Sequence, residues 1–443
     1  MKQHVHYIGI GGIGMSALAR WHVAKGWTVS GSDMEQSAMT DALRAEGIDV
    51  SIGHAARNVP RDAARIIYSA AVRSDNSEMK SARAQDIPIM KYAEALGELT
   101  KQHITFAVAG THGKSTTAAL LSLMLIRAGL DPTVIVGTRL AEFGGKNMRV
   151  GAGRYLVIEA DEYDRSFWHY FPTVAVVTNV DADHLDTYGT MSGVIAGFRH
   201  YLRALPQGAT AIINAGDPQS VRAARGIACR AVMFNKGGKI SARWPLKIPG
   251  HFNQVNAEAA YQAAKIAGVS KKIAQDAVRA YRGSWRRMEM LKPRNGEYAS
   301  SSIFFSDYAH HPREIMATIG ALRERYPRRK IAVVFEPHQR KRLTLLFRDF
   351  VVAFDAAHRV LFLPTYQVAG REQKSGKTAE NLYAAVARRR GREGKKTVFC
   401  LKKFEEARTL MGGQVVVFMG AGAIDGEARK YFTSKLMKSE KPA

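Results

Sequence analysis

Apolar residues recur along this chain in two rhythms that take turns. Short apolar or β-branched runs read as strands covered on both faces. The stretches between them repeat apolar residues at helical spacing, as helices packed on a sheet do. Strands are expected at 4–8, 28–30, 65–69 and near 88–90, then at 104–109, 154–159 and 173–179. Helices follow the first glycine turn through Ala24 and begin again near Lys114, and two more are predicted over 256–267 and 270–282. The last third alternates once more, with strands near 302–306, 331–335, 359–363, 397–400 and 414–418. Strand–helix alternation of this kind predicts α/β domains with parallel sheets. The breaks divide the chain into 1–98, 99–290 and 291–443, with a frayed tail expected over 435–443.

Two of the predicted strands run into glycine turns. Gly9, Gly11 and Gly14 follow the strand 4–8, and the strand 28–30 leads to Asp33. Glycines there let backbone N–H groups approach a diphosphate, and the acid is placed to hold a ribose hydroxyl. Taken alone the pattern predicts an NAD-dependent dehydrogenase, but the glycines specify only a diphosphate cradle, and a UDP-sugar carries a diphosphate and a ribose too. The second turn is Gly110-Thr111-His112-Gly113-Lys114-Ser115-Thr116, between the strand 104–109 and a helix. Its N–H groups can cradle phosphates, Lys114 can reach terminal phosphates, and the Ser115 hydroxyl suits a phosphate-bound Mg²⁺. One position departs from the full phosphate-loop pattern, because Val108 stands where the earlier glycine belongs.

Polar residues gather where the remaining strands end. Glu159, Asp161, Glu162 and Asp164 close one strand, and Asp181, Asp183, His184 and Asp186 follow the next. The carboxyl ends of parallel strands line the ligand crevice of an open sheet, which puts Lys114, Glu159 and His184 on one edge. A carboxylate, an imidazole and a loop hydroxyl around a hard cation fit Mg²⁺ beside ATP. Asn253 and Asn256 stand near a helix start, where capping is the expected role. In the last third, Asp307, Tyr308, His310 and His311 end one strand, and Glu336, His338, Arg340 and Arg342 another.

Composition narrows the partners. A hydrophobic share of 46% and a charged share of 23% describe a globular chain. No apolar run is long enough to span a membrane and no secretory pattern opens the chain, so a cytoplasmic protein is expected. Cys229 and Cys400 carry no metal-binding spacing. The net charge of +26 implies attraction to anions. Its basic residues are dispersed, with clusters at 328–330, 340–342 and 388–396, and no nucleic-acid-binding signature accompanies them. No nucleic-acid partner is therefore expected.

Taken together, residues 9–16 with Ser32 and Asp33, 110–116, 159–164, 179–189, Asn253 and Asn256, Arg286 and Arg287, and 307–312 resemble the Mur ligases of peptidoglycan synthesis over nearly the whole chain. The resemblance implies an N-terminal Rossmann-like domain, a central P-loop ATP-binding α/β domain and a C-terminal Rossmann-like α/β domain. It implies a UDP-sugar, not NAD, on Gly11, Gly12, Ile13, Gly14, Ser16, Asp33 and Ser69, and ATP on 110–116, Asn253, Asn256 and Arg287. Mg²⁺ would be held by Ser115, Glu159 and His184, and the amine substrate by Tyr308, His310 and Arg342. Lys114, His184, His310 and Arg342 are the implied catalytic set, in a monomer or weak homodimer. The implied reaction activates the carboxylate of UDP-N-acetylmuramate with ATP and passes it to L-alanine, the alternative amine being L-Ala-γ-D-Glu-meso-diaminopimelate. The run Asp181 to Gly189 and the short segment between Glu159 and His184 favour L-alanine, whereas Tyr163 and Glu336 favour the tripeptide. Phe252, Gln339 and Ala423 depart from the alanine pattern, where His, Arg and Asp are usual.

Overall fold

A computed structural model describes residues 3–292, 302–367 and 375–433; the tail expected to fray lies outside the described residues. Three sheets organise it. The first is wholly parallel, built from β1 (His4–Ile8), β2 (Thr28–Asp33), β3 (Asp49–Ile52), β4 (Ala63–Tyr68) and β5 (Ile89–Lys91) in the order β3-β2-β1-β4-β5. The chain winds outward from β1 to β3, then crosses back to β4. A crevice opens at that reversal, so the turn after β1 and Ser69 after β4 face it together.

The second sheet holds β6 (Ile104–Ala109), β7 (Thr133–Leu140), β8 (Lys146–Arg149), β9 (Tyr155–Ala160), β10 (Val174–Val177), β11 (Thr210–Asn214) and β12 (Arg230–Phe234). Their order is β12-β11-β10-β6-β9-β7-β8, and only β8 runs antiparallel to its neighbour. Strand β6 is central and its residues 105–109 are buried, as its apolar run requires. Gly110 and Gly113 after it adopt φ of +133° and +82°, a region that side chains with a Cβ avoid. Helix Lys114–Arg127 starts directly behind Gly113.

The third sheet comprises β13 (Glu289–Leu291), β14 (Ile303–Asp307), β15 (Ile331–Phe335), β16 (Arg359–Phe362), β17 (Val398–Cys400) and β18 (Val415–Met419), ordered β13-β14-β18-β15-β16-β17. Alternation decides its two cores: Val333, Phe335 and Val417 pack on one face, Ala332, Val334 and Val416 on the other. The chain divides into two compact units, Met1–Leu246 with Gln254–Arg282, and Lys247–Asn253 with Gly283–Ala443. The first two sheets share one unit because one apolar cluster runs through both, from Leu18 and Leu96 to Ile135, Ile158 and Phe167.

The helix expected over 256–267 begins earlier, at His251, and runs to Ile266. Asn253 and Asn256 are therefore inside the helix and do not cap it. Asn253 donates its side-chain N–H to Pro249 O at 2.6 Å.

Candidate functional site

Around the second glycine turn, tight packing explains both glycines. A Cβ on Gly110 would lie 2.0 Å from Thr178 Oγ1, and one on Gly113 would lie 2.4 Å from Asn256 Oδ1. The turn is held from β10's far end: the His112 N–H donates to Asn179 Oδ1 at 2.8 Å, and Asn179 Nδ2 and Thr178 Oγ1 donate to His112 O at 2.9 and 2.6 Å. Asp181 Oδ2 meets His112 Nε2 at 2.9 Å, and the Asp181 N–H donates to Thr111 Oγ1 at 2.9 Å. Thr116 is buried at the first turn of the helix.

Lys114 is not the exposed loop lysine that its position suggests. Its side chain is 15% exposed and donates to Gly110 O at 2.7 Å and Glu162 Oε2 at 2.7 Å. Burial alone would lower its pKa, but the charges of Glu162 and then Asp161 outweigh it and hold the ammonium above its ordinary value. Burial raises the Glu162 carboxyl against the pull of Lys114, while Lys114 and His184 keep Asp161, whose side chain is 55% exposed, below the usual carboxylate value despite its partial desolvation.

The three residues expected to share a cation divide between two clusters. Ser115 Oγ donates to Glu159 Oε2 at 3.0 Å, and the Gly137 N–H donates to Glu159 Oε1 at 2.5 Å. His184, in a left-handed conformation with φ of +51°, stands instead with Asp161 and Glu162, their ligand atoms all within 4.8 Å of one another. Asp161 and Glu162 are the residues that sequence reasoning left off the site; their signal was the acidic pair directly after β9. The turn that follows is strained, with Asp164 and Arg165 both at positive φ.

This acid–imidazole group fits a hard cation. Glu162 is 1% exposed, and among the described residues its Oε1 has no hydrogen-bond partner. A buried carboxylate oxygen left unpaired costs free energy that a Mg²⁺ ion would recover.

The first glycine turn is organised by its own acid. The Gly11 N–H donates to Asp33 Oδ2 at 2.8 Å, and a Cβ on Gly11 would lie 2.9 Å from that oxygen. Gly12 precedes helix Ile13–Ala24, and Gly14 packs so closely on Tyr92 that a Cβ would lie 2.7 Å from its ring. Ser16 is buried and its hydroxyl donates to Ile13 O at 3.0 Å, so it braces the turn from behind. Ser69 Oγ accepts the Ala71 N–H at 3.3 Å.

Asn253, Arg287, Tyr308, His310 and Arg342 belong to the second compact unit. There the Tyr308 ring lies under the Arg286 and Arg287 guanidiniums at 4.8 and 5.0 Å. His310 Nδ1 is 2.9 Å from Tyr308 O, which favours the Nδ1–H tautomer. Arg342 Nη1 reaches His338 Nδ1 at 3.4 Å, and the His310 and His338 rings are 6.0 Å apart. Two buried carboxyls support these strand ends. Asp307 accepts the Met288 and Ala309 N–H groups, and burial lifts its pKa to about 6. Glu336 accepts the Ile424 N–H at 3.3 Å, and burial lifts it to about 7. It also lines a cavity of about 330 Å³ with Tyr366, Phe404 and Glu427.

Known proteins match this arrangement along its length. Residues 4–104 match the Mur ligase family catalytic domain, 108–256 the Mur ligase middle domain, and 286–422 the Mur ligase glutamate ligase domain. The UDP-N-acetylmuramate–L-alanine ligase of Aquifex aeolicus is 37% identical over 447 residues, covering 95% of each chain. The structure of UDP-N-acetylmuramate-alanine ligase MurC from Thermotoga maritima superposes with a TM-score of 0.80 at 26% identity, covering 97% of this chain and 98% of that one. A murein peptide ligase from Psychrobacter arcticus shares the fold, with a TM-score of 0.73 at 23% identity over 99% of this chain and all of that one. With three consecutive domain matches and a relative 37% identical over 95% of the chain, this chain belongs to the Mur ligase family.

Proposed function

We propose that the protein joins L-alanine to the carboxylate of UDP-N-acetylmuramate at the expense of ATP. The observation that carries this reading is the second glycine turn, where Lys114 is braced by Glu162 beside Ser115 and Glu159. A carboxylate is a poor acyl donor, so it first takes the γ-phosphoryl group of ATP, releasing ADP. The amine then attacks the resulting acyl phosphate and expels phosphate. Both steps put negative charge on oxygens that Lys114 can stabilise in a preorganised, largely dehydrated setting.

Residues 110–116, with Asn256 against Gly113, hold the ATP phosphates in this reading. Gly11, Gly12, Ile13, Gly14, Ser16, Asp33 and Ser69 receive the UDP-sugar. In this reading the Asp161–Glu162–His184 group and the Ser115–Glu159 pair would hold Mg²⁺, which when bound supplies charge neutralisation on the transferring phosphoryl oxygens. Tyr308, His310 and Arg342 receive the amino acid: the Arg342 fork suits its carboxylate, and His310 is the proposed base for the proton that the ammonium sheds. No helix among the described residues is long and apolar enough to cross a membrane. A cytoplasmic setting, where ATP and nucleotide sugars meet, follows from the proposed substrates.

The second reading, transfer to L-Ala-γ-D-Glu-meso-diaminopimelate, is favoured by Glu336 and Tyr163 and by the cavity that Glu336 lines. A competition assay with equal L-alanine and tripeptide, read by product mass, decides between them. A tenfold excess of L-alanine product supports the first reading, and a tenfold excess of the peptide product overturns it.

A further inference from the structure

The antiparallel edge of the second sheet touches both glycine turns, and one buried amide makes the connection. Asn147 lies on β8 and is fully buried. Its Nδ2 donates to Ile13 O and, at 3.3 Å, to Ser16 Oγ, both in the first turn of the helix behind the first glycine loop. Its Oδ1 accepts from Arg20 Nη1 at 2.8 Å. Arg20 is itself buried and fixed by a two-pronged pair with Glu46, at 2.8 and 3.0 Å. The amide thus has both ends used and a single orientation.

What this orientation fixes is a peptide plane. The C=O of Ile13 and the N–H of Gly14 belong to one planar unit and point in opposite directions. Holding the carbonyl from behind therefore aims the Gly14 N–H forward, out of the helix start and toward the position of an anion. The Gly11 N–H, by contrast, is already spent on Asp33. The same hairpin carries Gly137 on β7, whose N–H fixes Glu159 beside Ser115. One rigid edge thus sets the phosphate-facing atoms of two separate turns.

We infer that Asn147 is a positioning residue for the nucleotide-sugar, aiming the Gly14 N–H at its diphosphate through the Ile13 carbonyl. The inference rests on the UDP-sugar occupying the first turn, as proposed above. It makes the Asn147 donor a determinant of UDP affinity that never touches the ligand. ATP binding, served by the other turn through Gly137, does not depend on that donor.

The test uses full-length Asn147→Asp and Asn147→Ala variants. The aspartate keeps the shape and an acceptor for Arg20 but has no N–H to offer Ile13 O. Calorimetry with UDP alone, thermal unfolding, and separate KM values for UDP-N-acetylmuramate and ATP are measured. Asn147→Asp is expected to weaken UDP binding and raise the UDP-N-acetylmuramate KM at least tenfold, with kcat and the ATP KM within about threefold of wild type. A purely structural role would move both KM values and kcat together with the unfolding temperature. That outcome, or UDP affinity within twofold of wild type in a folded Asn147→Asp, overturns the inference. If wild type binds UDP but ligates no UDP-N-acetylmuramate, the proposed function fails, while the UDP titration of the variants still decides the role of Asn147. Absence of UDP binding in wild type overturns the inference as well.

Discussion

Replacing Lys114 should damage stability and catalysis through separable causes. In Lys114→Ala the ammonium leaves, and Glu162, 1% exposed, loses the partner 2.7 Å away that offsets its charge. Removing one member of a buried ion pair costs about 3–5 kcal/mol, chiefly because the other charge stays buried. Glu162 can relieve part of this by taking a proton, since burial already raises its pKa. The cost should therefore be smaller at low pH and grow as pH rises through the folded-state pKa, the direction required for an acid whose folded pKa is raised. In Lys114→Ala/Glu162→Gln no charge is buried, and the loss should shrink to about 1–2 kcal/mol, the scale of the hydrogen bonds forgone. The double variant is thus expected to recover about 1–4 kcal/mol relative to Lys114→Ala at pH 8, by urea unfolding followed by fluorescence. Ligation should stay depressed by about a hundredfold or more in both, because the lost transition-state charge stabilisation is not restored. Recovery below 0.5 kcal/mol, or stability of Lys114→Ala equal to wild type, would refute the reasoning by showing that Lys114 behaves as a solvated surface charge.

Other expectations follow from the same geometry. Mg²⁺ should raise the unfolding temperature of the wild type but not of Glu162→Gln or His184→Ala, and the Mg²⁺ needed for half-maximal rate should rise in both; unchanged Mg²⁺ dependence would remove these residues from the cation site. Gly113→Ala, at φ of +82° with Asn256 Oδ1 2.4 Å from the added Cβ, should lose about 1–2 kcal/mol of stability and at least tenfold in ATP affinity, read by calorimetry. For Glu336 the pKa rises from 4.5 unfolded to about 7 folded, so its stabilising contribution is complete below pH 4.5 and is lost as pH climbs through 7. Glu336→Gln should therefore flatten the decline in stability between pH 5 and 8, with a gain of about 3 kcal/mol at pH 8 over wild type. A decline of undiminished slope in the variant would assign the pH dependence elsewhere.

Most of the strands were legible because their signal is local. The run 104–109 is apolar, ends in glycine and leads into helical spacing, and the structure places β6 at Ile104–Ala109 with the helix starting at Lys114. Strand 331–335 was equally plain, since a strand buried on both faces is an uninterrupted apolar run. Both glycine turns could be read for the same reason: only a residue without a Cβ tolerates those conformations and contacts. The edge hairpin was invisible. Its residues Lys146, Asn147 and Arg149 look like loop, and they form a strand because β7 supplies an antiparallel partner. The helix start at His251 also escaped, which left Asn253 and Asn256 mistaken for caps.

What tertiary structure alone decided is which charges are dry and who faces them. Sequence placed Lys114 in a turn and Glu162 in an acidic cluster, but not the 2.7 Å pair between them nor the burial of both. Nor did it show that Ser115 turns to Glu159 while His184 joins Asp161 and Glu162. Residue type and periodicity act over a few neighbouring positions, so they determine elements and turns. Desolvation and pairing depend on which distant strand ends the sheet order brings together, and that is settled only when the whole core packs.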